Sequence, residues 1–284
     1  METMKQKLIT VALRALALLI IFAIGLQIYG AWHDEWSGYN ASTMISDGYC
    51  NIAVIPITGD IVPYAGANKD GMTYESDLPP TSNPDDTLAT LRWAEGDPNV
   101  LGVLARIDSG GGTPVASEVI ANGFKNSSLP VVALIREMGT SGAYLAATGA
   151  STIIASPFSD VGGIGISMSY LENTAQNTKE GLQYISLASA KFKDYGSPDK
   201  PLTLDERNLL ERDLKIWHEQ FVKEVAENRN LPVEQVAKLA DGSSMPGSLA
   251  LENNLIDSLG DQETARAWFA EQLEIPVEEV VFCE

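Results

Sequence analysis

Hydrophobic residues along the chain form three patterns: one long run at the amino terminus, several short runs, and one helical repeat. The long run covers residues 8–30, which is enough to cross a bilayer as a helix. Two lysines precede it and two tryptophans follow it, and these flanks predict a cytoplasmic amino end. Arg14 interrupts the run, but its long side chain can extend back to the cytoplasmic side. The pattern predicts a cytoplasmic segment 1–7 and a single-pass transmembrane anchor 8–30.

The residues after this run indicate where a folded domain begins. Residues 34–48 are polar and rich in Ser, Gly and Asn, a composition typical of a tether, which we place at 31–48. We expect one domain over 49–284, held at the cell membrane on the outer side. A cleavable signal peptide is the alternative for the amino terminus, but the apolar part is longer than a usual signal core and no small-x-small site follows it.

The short apolar runs alternate with stretches of helical periodicity. Strands are predicted at residues 51–57, 100–107, 131–135 and 151–155, and helices at about 84–95, 114–125 and 142–149. The strands are continuously apolar, which indicates a parallel sheet that is buried on both faces. The chain is therefore predicted to have an α/β fold built from right-handed crossovers.

Two further stretches stand out, a helical repeat late in the chain and a loop after the first strand. Thr203 and Glu206 form a capping box at the start of one long amphipathic helix over roughly 203–229. His218 flanks the apolar stripe of this helix and is interpreted as a structural residue. The loop, at 60–84, has four prolines and little periodicity, which predicts either a lid or a mobile surface loop.

Composition excludes several classes of function. The 284 residues have a formal net charge of −19, from 19 Lys and Arg against 38 Asp and Glu, and this charge would repel a nucleic acid backbone. Two histidines and two cysteines without metal-ligand spacing give no basis for a metal site. Cys50 and Cys283 lie at opposite ends of the predicted domain, where they either pair or remain buried and inert.

Two loops contain the groups that acyl transfer requires. The first, IDSGGGTP at 107–114, places three glycines after a predicted strand, where amides can point outward without obstruction from Cβ atoms. The second, MGTSGAY at 138–144, places Ser141 where a strand meets a short helix. Taken singly, these features are a tight turn and an N-cap. Together they follow successive parallel strands, so a hydroxyl and backbone amides are expected to converge on one carbonyl oxygen.

A nucleophilic serine needs a base, and neither histidine is well placed to serve. His33 adjoins the predicted membrane segment, and His218 lies on the late helix. A neutral lysine is the other common base, and the segment SAKFKDYGSPDK contains Lys191, Lys193 and Lys200. Chemistry alone leaves the choice among the three open. If the segment is extended, Lys191 and Lys193 face the same way, and alternation does not separate them.

Five blocks of the sequence occur in the order and spacing of a known family. They are IDSGGGTPVASE, MGTSGAYLAATGA, ASPFSDVGGIGI, SAKFKDYGSPDKPLT and KLADGSSMPGSLALENNLIDSLGD, within residues 50–265. In these blocks the chain resembles the SppA-type signal peptide peptidases. The resemblance implies a parallel-sheet superhelix like that of Clp proteases and crotonases, a serine protease activity with a Ser-Lys dyad and no cofactor, and assembly into a homo-oligomeric ring.

The same resemblance implies roles for four residues. Ser141 matches the nucleophile, Lys193 matches the general base, and the amides of Gly112 and Gly142 match the oxyanion hole. In short members of the family, the serine of one subunit is completed by the lysine of a neighbour. The usual SPGG of the family reads SGGG at 109–112 of this chain, and the missing proline leaves the choice of oxyanion amide open by one residue.

The predicted function is that of a membrane-anchored serine endopeptidase that degrades leftover signal peptides and other extended peptides near the membrane through an acyl-enzyme. Its partners would be these peptides, membrane lipid and further copies of the chain. One alternative is a catalytically silent membrane scaffold of the same fold, which the presence of both Ser141 and Lys193 disfavours. The other is a crotonase-like enzyme acting on acyl-coenzyme A, which would not explain the membrane anchor.

Overall fold

The computed structural model describes residues 45–64 and 80–283. The predicted cytoplasmic segment, the transmembrane anchor 8–30 and most of the tether lie outside these residues. Over the two described ranges, no helix combines the length and the apolarity that a membrane crossing requires.

A mostly parallel sheet forms the centre of the domain. Its strands are β1 (Ile52–Ile61), β2 (Thr81–Ser82), β3 (Gly102–Gly112), β4 (Val131–Thr140), β5 (Thr152–Ala155), β6 (Asp160–Gly162), β7 (Ser244–Pro246), β8 (Ser258–Leu259) and β9 (Phe282–Cys283). Across the sheet they run in the order β2-β1-β3-β4-β5-β8, while β9 pairs with β1, and β6 pairs with both β4 and β7. The β6–β7 pair is antiparallel.

Helices connect the strands and cover the sheet. They are α1 (Pro84–Gly96), α2 (Pro114–Lys125), α3 (Gly142–Thr148), α4 (Thr174–Lys179), α5 (Leu204–Asn228), α6 (Val233–Leu239), α7 (Gly247–Glu252) and α8 (Gln262–Leu273), with a 3₁₀ turn at Val277–Glu279. Both α1 and α2 begin with a proline, whose fixed φ suits the first helical position. The capping box predicted at the start of α5 is present. The α/β fold with a parallel sheet is therefore confirmed.

The central strands are buried on both faces, as their continuous apolar sequences predict. In β3, Val103 and Ala105 belong to the larger core cluster, which includes residues of α1, α2, α3 and α5. Leu104, which lies between them in sequence, belongs to a smaller cluster with Phe269 of α8. Because successive side chains of a strand point to opposite faces, an uninterrupted apolar run supplies both clusters at once.

The predicted loop at 60–84 is shorter in the structure than in the sequence interpretation. β1 continues to Ile61, and β2 adds a parallel strand beside it, with Asp60 opposite Thr81. The loop prediction was therefore wrong at both ends, because short edge strands leave little periodicity in the sequence. The part that would form a lid, 65–79, lies outside the described residues.

The two ends of the domain meet beside β1. Cys50 and Cys283 form a disulfide with a Cα–Cα distance of 5.1 Å, which selects the paired alternative of the sequence analysis. Ile52 lies opposite Phe282 in the parallel β1–β9 pair. The first and last residues of the domain are thus joined both covalently and through the sheet.

One segment, which we name the arm (residues 168–200), has little regular structure beyond the short helix α4. Eight large hydrophobic side chains along it are exposed, namely those of Met168, Tyr170, Leu171, Leu182, Tyr184, Ile185, Leu187 and Tyr195. Exposed apolar side chains in one continuous segment are typical of a surface that contacts another molecule.

Candidate active site

The site lies where two neighbouring strands end. β3 and β4 are paired in parallel, with Ser109 opposite Gly139 near their carboxyl ends. The glycine triplet, which the sequence analysis placed in a loop after the strand, is the end of β3 itself, and Ser141 is the residue between β4 and α3. Parallel pairing therefore brings the two segments together as predicted.

Ser141 has a backbone conformation that is rare for residues other than glycine. Its φ is +53° and its ψ is −126°, a combination that costs on the order of 1–3 kcal/mol and persists only where surrounding contacts enforce it. The enforcing contacts are backbone hydrogen bonds, from Ser141 N to Gly162 O at 2.7 Å and from Leu145 N to Ser141 O at 3.0 Å. The Ser141 hydroxyl makes no cap hydrogen bond, so the N-cap interpretation does not account for this residue.

The glycine loop packs directly against the residues around Ser141. A Cβ atom on Gly142 would lie 3.2 Å from the amide nitrogen of Gly112, and it would overlap the hydroxyl of Ser117. Glycine at 142 is therefore required by the nearby Ser117 side chain. Glycine at 112 is required by the backbone of Ile61, whose oxygen a Cβ atom there would overlap. The structure brings together Ser141, Gly112 and Gly142, which are three of the four predicted site residues.

Ser109 fixes the start of the glycine loop. Its hydroxyl donates to the carbonyl of Gly59 at 2.5 Å and accepts from the amide of Gly111 at 3.1 Å. The Gly111 amide is thus already engaged inside the protein, and it is not available to a ligand. The two hydrogen bonds of the Ser109 hydroxyl thus hold the SGGG segment at 109–112, where the family that the sequence resembles usually has SPGG.

Helix α3, which follows Ser141, is buried along its whole length. Tyr144 donates a hydrogen bond from its hydroxyl to the carbonyl of Leu255 at 2.8 Å, and burial raises the pKa of this hydroxyl. Because the helix cannot shift without breaking this contact, Ser141 and Gly142 are held at the end of a rigid element.

Two cavities open at Ser141. The first has a volume of about 300 Å³, and Gly112, Ser141 and Gly142 are among the residues that line it. Its other lining residues are Pro114, Val115, Glu118, Leu145, Ile166, Trp217, Gln220, Phe221 and Glu224. This cavity is mostly apolar, with two carboxylates, and it is large enough for an amino-acid side chain.

The second cavity has a volume of about 420 Å³ and is more polar. Ser141, His218 and Asp241 are among the residues that line it. The interpretation of His218 as a structural residue did not anticipate this position. Helical spacing identified the neighbouring apolar stripe, but it does not show what the polar edge of the stripe faces in the folded domain.

The three candidate lysines have different surroundings. Lys191 pairs with Asp205 at 2.6 Å. Lys200 pairs with Glu206 and, at 3.4 Å, with Asp194, and the hydrogen bond with Glu206 raises the pKa of Lys200. A lysine held in its charged form by two carboxylates is a poor base.

Lys193 differs from both of these lysines. It is exposed, and among the described residues its side chain has no ion pair or hydrogen bond. Residues 191–196 form turns rather than a strand, so the extended geometry considered in the sequence analysis does not occur. Lys193 does not line either cavity at Ser141, and the structure of a single chain therefore does not bring it to the serine.

Candidate metal ligands are scattered in the described part of the chain. Over residues 45–64 and 80–283, no three His, Cys, Asp or Glu side chains are grouped closely enough to hold a metal ion.

Comparison with known proteins gives a family and a fold. The model of peptidase family S49 matches residues 123–276, a span that includes Ser141 and Lys193. "Putative protease MJ0651" of Methanocaldococcus jannaschii is 35% identical over 173 residues, which are 60% of this chain and 56% of that protein. "Protease 4" of Salmonella typhi is 32% identical over 219 residues, which are 75% of this chain and 35% of that protein.

The relatives are longer than the part of them that matches. The chain spans 56% and 61% of the length of two relatives that are 35% and 37% identical to it. Among solved structures, a mutant of the 1510-N membrane-bound stomatin-specific protease aligns with a TM-score of 0.50 at 15% identity, over 83% of this chain and 94% of that chain. At this identity the likeness concerns the fold alone.

Proposed function

Because the chain belongs to peptidase family S49, we propose that it is a membrane-anchored serine endopeptidase in which Ser141 is the nucleophile. The observation that supports this most directly is the conformation of Ser141. Ser141 lies between a strand and a helix with a φ of +53°, and its hydroxyl makes no cap hydrogen bond. The residue lines two cavities. Strained backbone of this kind is concentrated at functional sites.

The amides of Gly112 and Gly142 are the proposed oxyanion hole. They belong to two segments in backbone contact, and both residues line the first cavity together with Ser141. The neighbouring Gly111 amide is bound by Ser109, which favours Gly112 as the donor from the glycine loop. Two preorganised donors aimed at the carbonyl oxygen stabilise the charge that develops in the transition state.

Lys193 is the proposed general base. Of the three lysines in its segment, it is the one whose amine is not held by a carboxylate among the described residues. Because it lies away from the cavities of its own chain, we infer that it serves the Ser141 of a neighbouring copy. The arm that contains it exposes several large hydrophobic side chains, which is consistent with packing against that neighbour.

The reaction then proceeds in two stages. The neutral Lys193 amine accepts the proton of the Ser141 hydroxyl while Oγ attacks the peptide carbonyl, and the amides of Gly112 and Gly142 bind the resulting oxyanion. Collapse of the intermediate breaks the C–N bond, the leaving amine takes the proton from Lys193, and an ester to Ser141 remains. Water then attacks the ester while the same lysine takes a proton from it, and the lysine passes this proton to Ser141 Oγ as the C–O bond breaks. The products are a carboxylic acid and the free serine hydroxyl.

The proposed substrates are leftover signal peptides and other extended peptides at the membrane. A relative from Enterococcus faecium that is 30% identical over 181 residues is named as a signal peptide peptidase. The apolar run at 8–30 would keep the protease close to such peptides. The disulfide between Cys50 and Cys283 favours an oxidising location, which agrees with a domain outside the cytoplasm.

A serine-directed fluorophosphonate tests the proposal on the full-length protein. We expect the reagent to add to Ser141, as located by mass spectrometry of the peptides, and to stop hydrolysis of a peptide ester. Failure to hydrolyse any peptide or ester, with no label at Ser141, would favour a silent scaffold of the same fold. Turnover of an acyl-coenzyme A instead would favour the crotonase-like alternative.

A further inference from the structure

The first cavity contains two carboxylates that the proposed mechanism does not use. Glu118 comes from α2 and Glu224 from α5, so they approach the cavity from different elements. Both are half-buried. In the described part of the chain, neither is in an ion pair, although Gln220 donates a hydrogen bond to Glu224 at 2.9 Å. Two carboxylates without a cationic partner in one mostly apolar cavity can together attract a cationic ligand.

The electrostatic surroundings of these carboxylates leave their charge unbalanced. Burial raises the pKa of Glu224, and the nearby charges of Glu118 and Glu227 raise it further. The hydrogen bond from Gln220 and the charge of Lys125 oppose this rise in pKa, but the Lys125 ammonium is bound to Glu227 at 2.6 Å. The cavity therefore has a negative potential that a bound cation would relieve.

The remaining walls of the cavity suit the apolar stem of a long side chain. Val115, Leu145 and Phe221 line the same cavity as Ser141 and the two carboxylates, and they provide aliphatic and aromatic surface. Trp217 also lines the cavity and is 45% exposed, so its ring is accessible to a ligand. An indole ring attracts ammonium and guanidinium groups.

We propose that this cavity binds the side chain of a lysine or arginine on the amino side of the cleaved bond, with Glu118 and Glu224 as the residues that determine this specificity. The proposal rests on the function proposed above, since it is the position of Ser141 and Gly112 at the opening that makes the cavity a subsite. The methylene groups of the side chain would contact the apolar walls. Its cationic end would reach the two carboxylates and the indole.

The test compares two peptide esters that differ at one position, lysine or norleucine, so that the stem is kept and the ammonium is lost. On the full-length protein we expect kcat/KM to be about tenfold or more higher for the lysine ester, as expected for two partly exposed charge pairs. In the double variant Glu118→Gln, Glu224→Gln the preference should fall to within about twofold. Glu219→Gln, on the same helix but outside the cavity and paired with Lys215, is the matched control and should keep the preference.

A binding measurement separates this inference from the proposed function. Fluorescence anisotropy with Ser141→Ala protein and labelled, uncleaved peptides should show the lysine peptide binding about tenfold more tightly than the norleucine peptide. Cleavage of both esters without a preference would overturn the inference and leave the peptidase function standing. A binding preference in a protein that cleaves neither ester would keep the cationic subsite and overturn the peptidase function. A preference unchanged in the double variant would also overturn the inference.

Discussion

The backbones of Gly111 and Gly142 are in direct contact, since a Cβ atom on Gly111 would lie 2.7 Å from the amide nitrogen of Gly142. The φ of Gly111 is +105°, a conformation that residues with a side chain rarely adopt. The contact joins the carboxyl end of β3 to the first residue of α3. The relative position of the two proposed oxyanion amides therefore depends on the absence of a single methyl group.

Gly111→Ala should separate these two segments. We expect a loss of activity of at least about tenfold, because a shift of about 1 Å at reacting groups is enough for such a loss, and a stability lower by about 1–3 kcal/mol. Peptide ester hydrolysis and urea unfolding measure the two effects. Gly110→Ala is the control, because its Cβ would meet only Met138 Sδ at 3.6 Å. Equal losses in both variants would show that the contact with Gly142 is not the cause.

The strained backbone at Ser141 predicts a difference in stability between two variants that lack the hydroxyl. Glycine adopts a positive φ without penalty, so Ser141→Gly is expected to be more stable than Ser141→Ala by about 1–2 kcal/mol. Both variants should lose peptidase activity, because the hydroxyl is the reacting group. Thermal unfolding of the two variants side by side measures the difference. An alanine variant that is as stable as the glycine variant would mean that the backbone at 141 is not strained.

Lys193→Ala should lower activity on the order of 10³-fold, as removal of an essential base does, whereas Lys191→Ala should stay within about tenfold of the wild type. Lys191 is already paired with Asp205. Initial rates at high pH measure both variants. The reversed ranking would move the base to Lys191.

The proposed sharing of one site between two copies predicts complementation. Inactive Ser141→Ala and Lys193→Ala proteins, unfolded and refolded together, should regain activity, because a mixed pair contains one complete site. The expected yield is a fraction of wild-type activity, set by how often unlike copies become neighbours. Continued inactivity of a verified mixed assembly would place both groups of the site within one chain, and His218 would then be the leading candidate.

The dependence of activity on pH distinguishes Lys193 from His218 as the general base. A free lysine holds its proton up to about pH 10.4 and a free histidine only to about 6.5. With lysine as the base, we expect activity to keep rising above neutral pH, and His218→Gln to keep that profile within about threefold in rate. A rate that is level from pH 6.5 upward and is lost in His218→Gln would assign the base to the histidine in the second cavity.

The pattern of the strands could be read from the sequence because a two-sided parallel sheet requires continuous apolar runs. The proposed nucleophile and the glycine loop could be found for a related reason, since each follows such a run directly. The surroundings of His218 and Glu224 could not be predicted, because they depend on which way α5 faces over the sheet. The turn at Lys193 and the pairing of Cys50 with Cys283 likewise depend on contacts between distant parts of the chain.

The capping network at the start of α5 should make stability sensitive to acid. Hydrogen bonds from Lys200 and Thr203 lower the pKa of Glu206 below its usual value of 4.5. A carboxylate with a lowered pKa stabilises the fold above its unfolded-state pKa, and that contribution is lost as pH falls through the folded-state value. Glu206→Gln should therefore unfold a few degrees below the wild type at pH 7, since loss of a cap costs about 1 kcal/mol. The difference in unfolding temperature between the two proteins should narrow below pH 4. A difference that does not depend on pH would contradict the lowered pKa of Glu206.

The bond between Cys50 and Cys283 makes nearly the whole domain a closed covalent loop. A peptide bond hydrolysed anywhere within that loop, including one in the arm, opens the ring without releasing a fragment. For a protein that is itself proposed to cut extended chains, a stray cut by a neighbouring copy therefore does not separate the segment that contains Lys193 from the segment that contains Ser141. A chain cleaved in this way would remain one covalent molecule, and its fragments would separate only after the disulfide is reduced.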